Sequence, residues 1–165
     1  MQDLLRASPG TNLGIDYLPG ALGFDPVSHE VEPLLASKVL WFDAYIGNVD
    51  RSWQNPNLLR WHAGLWLIDH GASLTFAHDW RRSAGAADKP YGSRAHVLDA
   101  AATRRREAAE LLAPQITDTL LTEVVAEVPD VWLDGEPGFP DAAAVRAAYV
   151  DHLRRRIVAR DRWQP

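Results

Sequence analysis

The run Leu34 to Ile46 is apolar on nearly every turn, interrupted only by Ser37, Lys38 and Asp43. Apolar residues all round, rather than along one stripe, predict a helix buried on most sides. Pro33 can open it, because a missing N–H costs nothing in the first turn. Gly47 and Asn48 close it and leave Asp50 in the loop that follows. Two short apolar runs come next, 57–61 and 65–69, parted by His62-Ala63-Gly64. That pattern predicts a β-hairpin with a tight turn, with Asp69 at the exit of its second strand.

On either side of this segment the pattern changes. Residues 8–26 are rich in turn dipeptides, Ser8-Pro9-Gly10, Pro19-Gly20 and Asp25-Pro26, which punctuate helices rather than continue them. The apolar residues among them, Leu13, Ile15, Tyr17, Leu18, Leu22 and Phe24, predict a loop docked on the body of the protein. Residues 81–91, with Gly85 and Asp88-Lys89-Pro90, read as a mobile loop. The C-terminal half reads as helical over 94–112, 116–128 and 142–160. In the second of these Ile116, Leu120, Val124 and Val128 fall about one turn apart. Asp141 is placed to cap the last helix through its carboxylate. The resulting fold class is mainly α with one small β-hairpin, α+β.

Composition narrows the function classes. The net charge of −5 offers no electrostatic footprint for nucleic acid or an anionic membrane. Without cysteine, disulfides, thiolate catalysis and Cys-ligated zinc are excluded. His29, His78, His96 and His152 show no i, i+4 pair of the kind that binds zinc on a helix, and His62, at the hairpin turn, reads as solvated. No apolar run is long enough to span a bilayer, and the N-terminus is too short and polar for a signal peptide. The default reading is a soluble, cytoplasmic protein.

The candidate chemistry lies in Val49-Asp50-Arg51-Ser52-Trp53-Gln54-Asn55 and Leu65-Trp66-Leu67-Ile68-Asp69-His70-Gly71. Phosphoryl transfer asks the protein mainly for a positioned nucleophile and a divalent ion that spreads charge over the phosphates. Asp50 suits the first need: a carboxylate beside an acceptor hydroxyl orients it and takes its proton. Asn55, five residues on, and Asp69, beyond the hairpin, suit the second, because hard oxygen ligands favour Mg²⁺. His70 is placed to orient Asp69 or to touch a phosphate. Arg51 reads as structural, pairing with a carboxylate of its own loop. Trp53 reads as packing on a neighbour, Trp41, Phe42, Trp61 and Trp66 as core, and Asp43 and Asp79 as surface or structural acids. The arginine runs 104–106 and 154–156 read as solvated helix faces in an acidic chain. Taken alone, Asp50 also fits a simple turn cap and Asn55-Pro56-Asn57 an ordinary turn. The ordered set is far more specific than a lone Asp-x-x-x-x-Asn.

That ordered set resembles the HipA-like kinases, in particular their compact bacterial branch. It is also similar, more distantly, to the phosphoinositide 3/4-kinases, which share an Asp-Arg-x-x-x-Asn loop and an Asp-x-Gly after a hairpin. The segment from Leu5 through Gly20 also looks like the HipA-like branch, and the likeness is good over residues 1–80. The resemblance implies a protein-kinase-like C-lobe, with Asp50 as catalytic base, Asn55 and Asp69 as Mg²⁺ ligands, His70 in the cofactor site and ATP as phosphoryl donor. His70 stands where protein kinases carry the Phe of Asp-Phe-Gly.

A kinase N-lobe would supply a Gly-rich phosphate loop and a strand-borne Lys. Neither precedes Asp50, and of the two lysines, Lys38 and Lys89, Lys38 falls on the buried helix. The expectation is therefore one C-lobe domain over 1–165: a post-hinge loop segment at 1–28, the catalytic helix, loop and hairpin at 29–80, and a helical subdomain at 92–165, with the N-lobe absent. The leading function is an ATP- and Mg²⁺-dependent kinase C-lobe acting on a hydroxyl acceptor, incomplete without its N-lobe. The alternatives are a kinase-derived binding or regulatory module and a Mg²⁺-dependent phosphohydrolase. The partner expected is an N-lobe, or a second copy meeting an exposed apolar face.

Overall fold

The computed structural model describes residues 7–165; Leu5 and Arg6, the start of the segment likened to the HipA-like branch, lie outside them. Helix α1 (Pro33–Ile46) is the central element. Pro33 occupies its first turn, and the Glu32 carboxylate accepts from the backbone N–H groups of Leu34 and Leu35, both at 2.8 Å. This satisfies two of the free donors at the helix start. Gly47 ends the helix at φ 68°, a left-handed conformation that glycine adopts without the Cβ penalty.

The helix feeds two buried clusters, which is why its sequence is apolar all round. Ala36, Val39 and Leu40 pack with Phe24, Leu58, Val97, Leu98 and Ala102. Trp41, Ala44 and Tyr45 pack with Leu121, Leu153 and Trp163. The second cluster joins α1 to helices α3 (Asp118–Ala126), α4 (Ala142–Val158) and α5 (Arg160–Trp163). As expected, Asp141 caps α4, accepting from Ala144 N–H at 2.8 Å.

Strands β1 (Leu22–Gly23), β2 (Leu58–Trp61) and β3 (Gly64–Leu67) form an antiparallel sheet in the order β1-β2-β3. Leu58 faces Leu67, and Trp61 faces Gly64. The hairpin turn is His62-Ala63 alone, at φ 45° and 62°, the two-residue left-handed turn that matches strand twist. Gly64 belongs to β3; a Cβ there would meet the Trp61 carbonyl at 3.2 Å and the Trp66 indole nitrogen at 3.3 Å.

Several local expectations give way to tertiary contacts. The helix expected over 94–112 starts only at Arg105, as α2 (Arg105–Leu112). Ahead of it, His96, Val97 and Leu98 are buried against α1 and the Asp50 loop. Arg104 N–H is taken by Ser37 Oγ on α1 at 3.0 Å, so tertiary contacts override helix propensity here. Residues 81–91 contain the end of a 3₁₀ helix, Trp80–Gly85. The loop at 8–26 docks through buried Phe24, as expected, and through polar contacts, while Leu13, Ile15, Tyr17 and Leu22 are exposed. Trp132 Nε1 donates to the Thr11 carbonyl and Trp61 Nε1 to the Pro19 carbonyl. Of the four aromatics expected in the core, Trp41 is buried, whereas Phe42 and Trp66 are exposed. Trp53 is exposed as well. Among the described residues, no helix is long and apolar enough to cross a membrane.

Candidate active site

The end of α1 and the loop after it are built around a buried carboxylate. Asp43, on α1, has no exposed surface, and Arg51 keeps 2 % of its own. Arg51 Nε donates to Asp43 Oδ2 at 2.5 Å, and a second guanidinium nitrogen reaches Oδ1 at 3.3 Å. Asn48 Nδ2 donates to Oδ1 at 3.0 Å. His96 Nδ1 accepts the Leu98 N–H at 3.1 Å, which leaves the ring proton on Nε2 to be donated to Asp43 Oδ2 at 3.0 Å. Burial pushes the Asp43 carboxyl toward the neutral form. The hydrogen bonds from His96 and Arg51 and the Arg51 charge outweigh it and hold the pKa below the usual carboxylate value. Arg51 therefore pairs outside its own loop, with an acid of the preceding helix.

From this anchor Arg51 reaches forward. It donates to the carbonyl of Asn57, and lies 3.5 Å from that of Ile68. Ile68 N–H in turn donates to the Asn57 carbonyl at 3.0 Å. The loop that carries Asp50 is thereby fixed to the strand exit that carries Asp69. Val97 N–H closes the other side, donating to the Arg51 carbonyl at 2.9 Å.

Within the loop, Asp50 and Asn55 meet directly: Asn55 Nδ2 donates to Asp50 Oδ2 at 2.9 Å. Asn57 Nδ2 donates to the Asp50 carbonyl at 2.6 Å and approaches Oδ2 at 3.3 Å. Asp50 N–H donates to Asn48 Oδ1 at 3.1 Å. Asn57 sits at φ 47°, a region that Asn tolerates better than most residues. With its amide nitrogen on Asp50, Asn55 could offer Oδ1 to a cation. Asp69 is exposed and left-handed at φ 49°, and its Oδ1 accepts from Gly71 N–H at 3.2 Å. Among the described residues, no group of three or more His, Cys, Asp or Glu side chains is arranged to hold a metal. The Asp69 carboxylate and the Asn55 amide are hard-oxygen donors of the kind that suits Mg²⁺ shared with phosphates and water.

His70 turns toward Arg51 rather than bonding to Asp69. Its Nε2 lies 3.2 Å from a guanidinium nitrogen and accepts from it, and the Phe42 ring meets it edge-on. Burial first, and the Arg51 charge second, lower its pKa, so the ring is neutral at pH 7.

The structural role expected of Asp43, the lone acid in an otherwise apolar helix, is borne out by its buried bond to Arg51. Asn57 reads in the sequence only as part of a turn, although it is a second amide beside Asn55. Nothing local marked His96, which reaches the site across 53 residues.

A family model described as HipA-like kinase matches residues 21–165. No curated protein and no solved structure matches the chain. The chain belongs to the HipA-like kinase family.

Proposed function

We propose that this HipA-like kinase chain carries the base and metal side of an ATP- and Mg²⁺-dependent phosphoryl transfer to a hydroxyl acceptor. The observation that supports it is the pairing of Asp50 with Asn55 in a loop that Arg51 fastens to the exit strand of Asp69. Asp50, oriented by the amides of Asn55 and Asn57, aligns the acceptor hydroxyl and takes its proton. Asn55 Oδ1 and the Asp69 carboxylate would hold Mg²⁺, which spreads the charge developing on the transferred phosphoryl group. Neutral His70, held by Arg51, sets the backbone next to Asp69 without adding a competing charge.

The same reading gives the exposed apolar residues a use. Val49, Trp66 and Ile68 are exposed on the loop and hairpin that carry the site, where a covering N-lobe would exclude water from the nucleotide. These residues also support a second reading, a kinase-derived binding module, in which the apolar face holds another protein and no phosphate moves.

Calorimetric titration with ATP, in Mg²⁺ and then in chelator, tests the first reading together with a phosphoryl-transfer assay. The expected outcome is Mg²⁺-dependent nucleotide binding that Asp69→Asn weakens at least about tenfold. Asp50→Asn should leave binding within about threefold and lower transfer about a hundredfold or more. Binding indifferent to both Mg²⁺ and Asp69→Asn, or transfer that survives Asp50→Asn, rejects it.

A further inference from the structure

The backbone that carries Asp50 has little packing to hold it. Val49 is 71 % exposed, and polar contacts fix the chain on either side of it. Three successive peptide units are each held by one side chain. The Asn48 carbonyl accepts from the Tyr91 hydroxyl at 2.7 Å. The Asp50 N–H donates to Asn48 Oδ1 at 3.1 Å. The Asp50 carbonyl accepts from Asn57 Nδ2 at 2.6 Å. Asn48 and Asn57 flank the loop itself, whereas Tyr91 reaches it from 43 residues away in sequence.

Tyr91 is held as a fixed strut. Its ring packs against both buried clusters, and its N–H donates to the Trp163 carbonyl at 3.3 Å. The stretch just before it is held as well, because Arg156 donates to the carbonyls of Ala86, Ala87 and Lys89. Burial first and the Asp43 charge second push the phenol pKa up, so the hydroxyl keeps its proton and stays a donor. At the receiving end Asn48 has no exposed surface, and its Nδ2 donates to Asp43 Oδ1 at 3.0 Å. Asn48 therefore passes a fixed position from α1 and Tyr91 to the Asp50 amide.

Fixing these peptide planes fixes where the Asp50 carboxylate points. A displacement of about 1 Å at a reacting group can cost about a hundredfold in rate. We infer that Tyr91 is a positioning residue for Asp50: its hydroxyl sets the Asn48 carbonyl and, through Asn48, the backbone from which the carboxylate meets the acceptor hydroxyl. The inference rests on the kinase reading and deepens its base side alone. The strand exit of Asp69 is held from elsewhere, by Arg51 at the Asn57 and Ile68 carbonyls. Loss of the Tyr91 hydroxyl should therefore slow transfer without weakening nucleotide binding. A Tyr91 that served packing alone would lose only stability on replacement by Phe.

The test uses the full 165-residue chain. It compares Tyr91→Phe, which keeps the ring, with a chain carrying p-aminophenylalanine in place of Tyr91, which restores a donor there. Transfer is followed as ADP formed from Mg²⁺-ATP. The side-chain amide of Asn55, bonded to Asp50 Oδ2, is followed by ¹⁵N NMR. Tyr91→Phe should lower kcat at least about tenfold, leave KM for ATP within about threefold, and move the Asn55 amide resonance. The p-aminophenylalanine chain should recover most of the loss. Ser37→Ala, which removes the part-buried bond to Arg104 N–H, should change neither readout. A Tyr91→Phe chain that loses stability but keeps kcat and the Asn55 resonance overturns the inference, as does a loss that p-aminophenylalanine does not recover. If Tyr91→Phe does not fold, p-methylphenylalanine, which fills the space of the hydroxyl without a donor, takes its place. Failure of both to fold marks a purely structural role and also overturns it. ADP formation that is absent, or that survives Asp50→Asn, rejects the kinase reading instead, and the Asn55 resonance still decides whether Tyr91 sets the Asp50 carboxylate.

Discussion

Arg51 and Asp43 are joined through the Arg51 Nε at 2.5 Å, and both side chains are fully buried. The pair connects the last turns of α1 to the Asp50 loop, and through the Asn57 carbonyl to the hairpin. Removing one partner strands the other charge in the core, which typically costs about 3–5 kcal/mol. Asp43→Ala or Arg51→Met should each lower stability by about that much in urea unfolding. The double variant should cost less than the sum, because neither residual charge is left unpaired. The pair also sets a pH dependence. Because the folded pKa of Asp43 lies below its ordinary value of 3.8, its stabilisation is complete above pH 3.8 and is lost as pH falls through the lower folded value. Urea titrations over that acid range should show a shallower loss in Asp43→Asn than in the native chain.

Arg156 illustrates a different kind of coupling. Its Nε donates to the Tyr45 carbonyl at 2.7 Å and another nitrogen to that of Ala44 at 2.5 Å, at the C-terminal end of α1. The remaining nitrogen reaches the carbonyls of Ala86, Ala87 and Lys89, and the guanidinium lies 4.7 Å from the centre of the Trp163 ring. Burial lowers its pKa to about 10, leaving it charged at neutral pH. Arg156→Met keeps the stem but leaves buried carbonyls unpaired, at about 1–3 kcal/mol for each group left dry. Hydrogen exchange should speed up first at residues 86–91, with slower exchange retained in the middle of α4. Uniform acceleration over the whole chain would contradict a local clamp.

The buried neutral His152 predicts a second pH window. Its folded pKa is lowered from 6.5 to about 4, chiefly by burial. The group therefore adds stability above pH 6.5, and that contribution is lost as pH falls from 6.5 to 4, because the unfolded chain takes the proton first. The loss should be at most about 3 kcal/mol. Thermal melts of His152→Phe should be flatter than the native chain between pH 6.5 and 4. Parallel curves for the two would show that the ring protonates without cost.

Much of this is legible in the sequence. Pro33, Gly47 and Asp141 mark element ends by local hydrogen bonding and backbone preference, and they act where expected. The hairpin and the position of Asp69 at its exit follow from two apolar runs and a short turn. Asp50 and Asn55 lie five residues apart in one loop, and their contact is a local event.

The second arginine run was misjudged because its members differ only in their surroundings. Arg154 pairs with Asp118 and Arg155 with Asp151 near the surface, while Arg156, the next residue, turns inward to the end of α1. The start of α2 was misplaced for a related reason. His96 forgoes helix to reach Asp43, and the carboxylate that rewards it lies 53 residues earlier.

The sequence by itself determined the element ends, the hairpin and the order of the Asp50, Asn55 and Asp69 set, since each depends on backbone preference and on neighbours within a few residues. Only the tertiary structure decided that Arg51 pairs with Asp43, that His70 turns to Arg51, and that Arg156 is buried. Those choices depend on which distant groups share a desolvated volume, where an unpaired charge is too costly to leave.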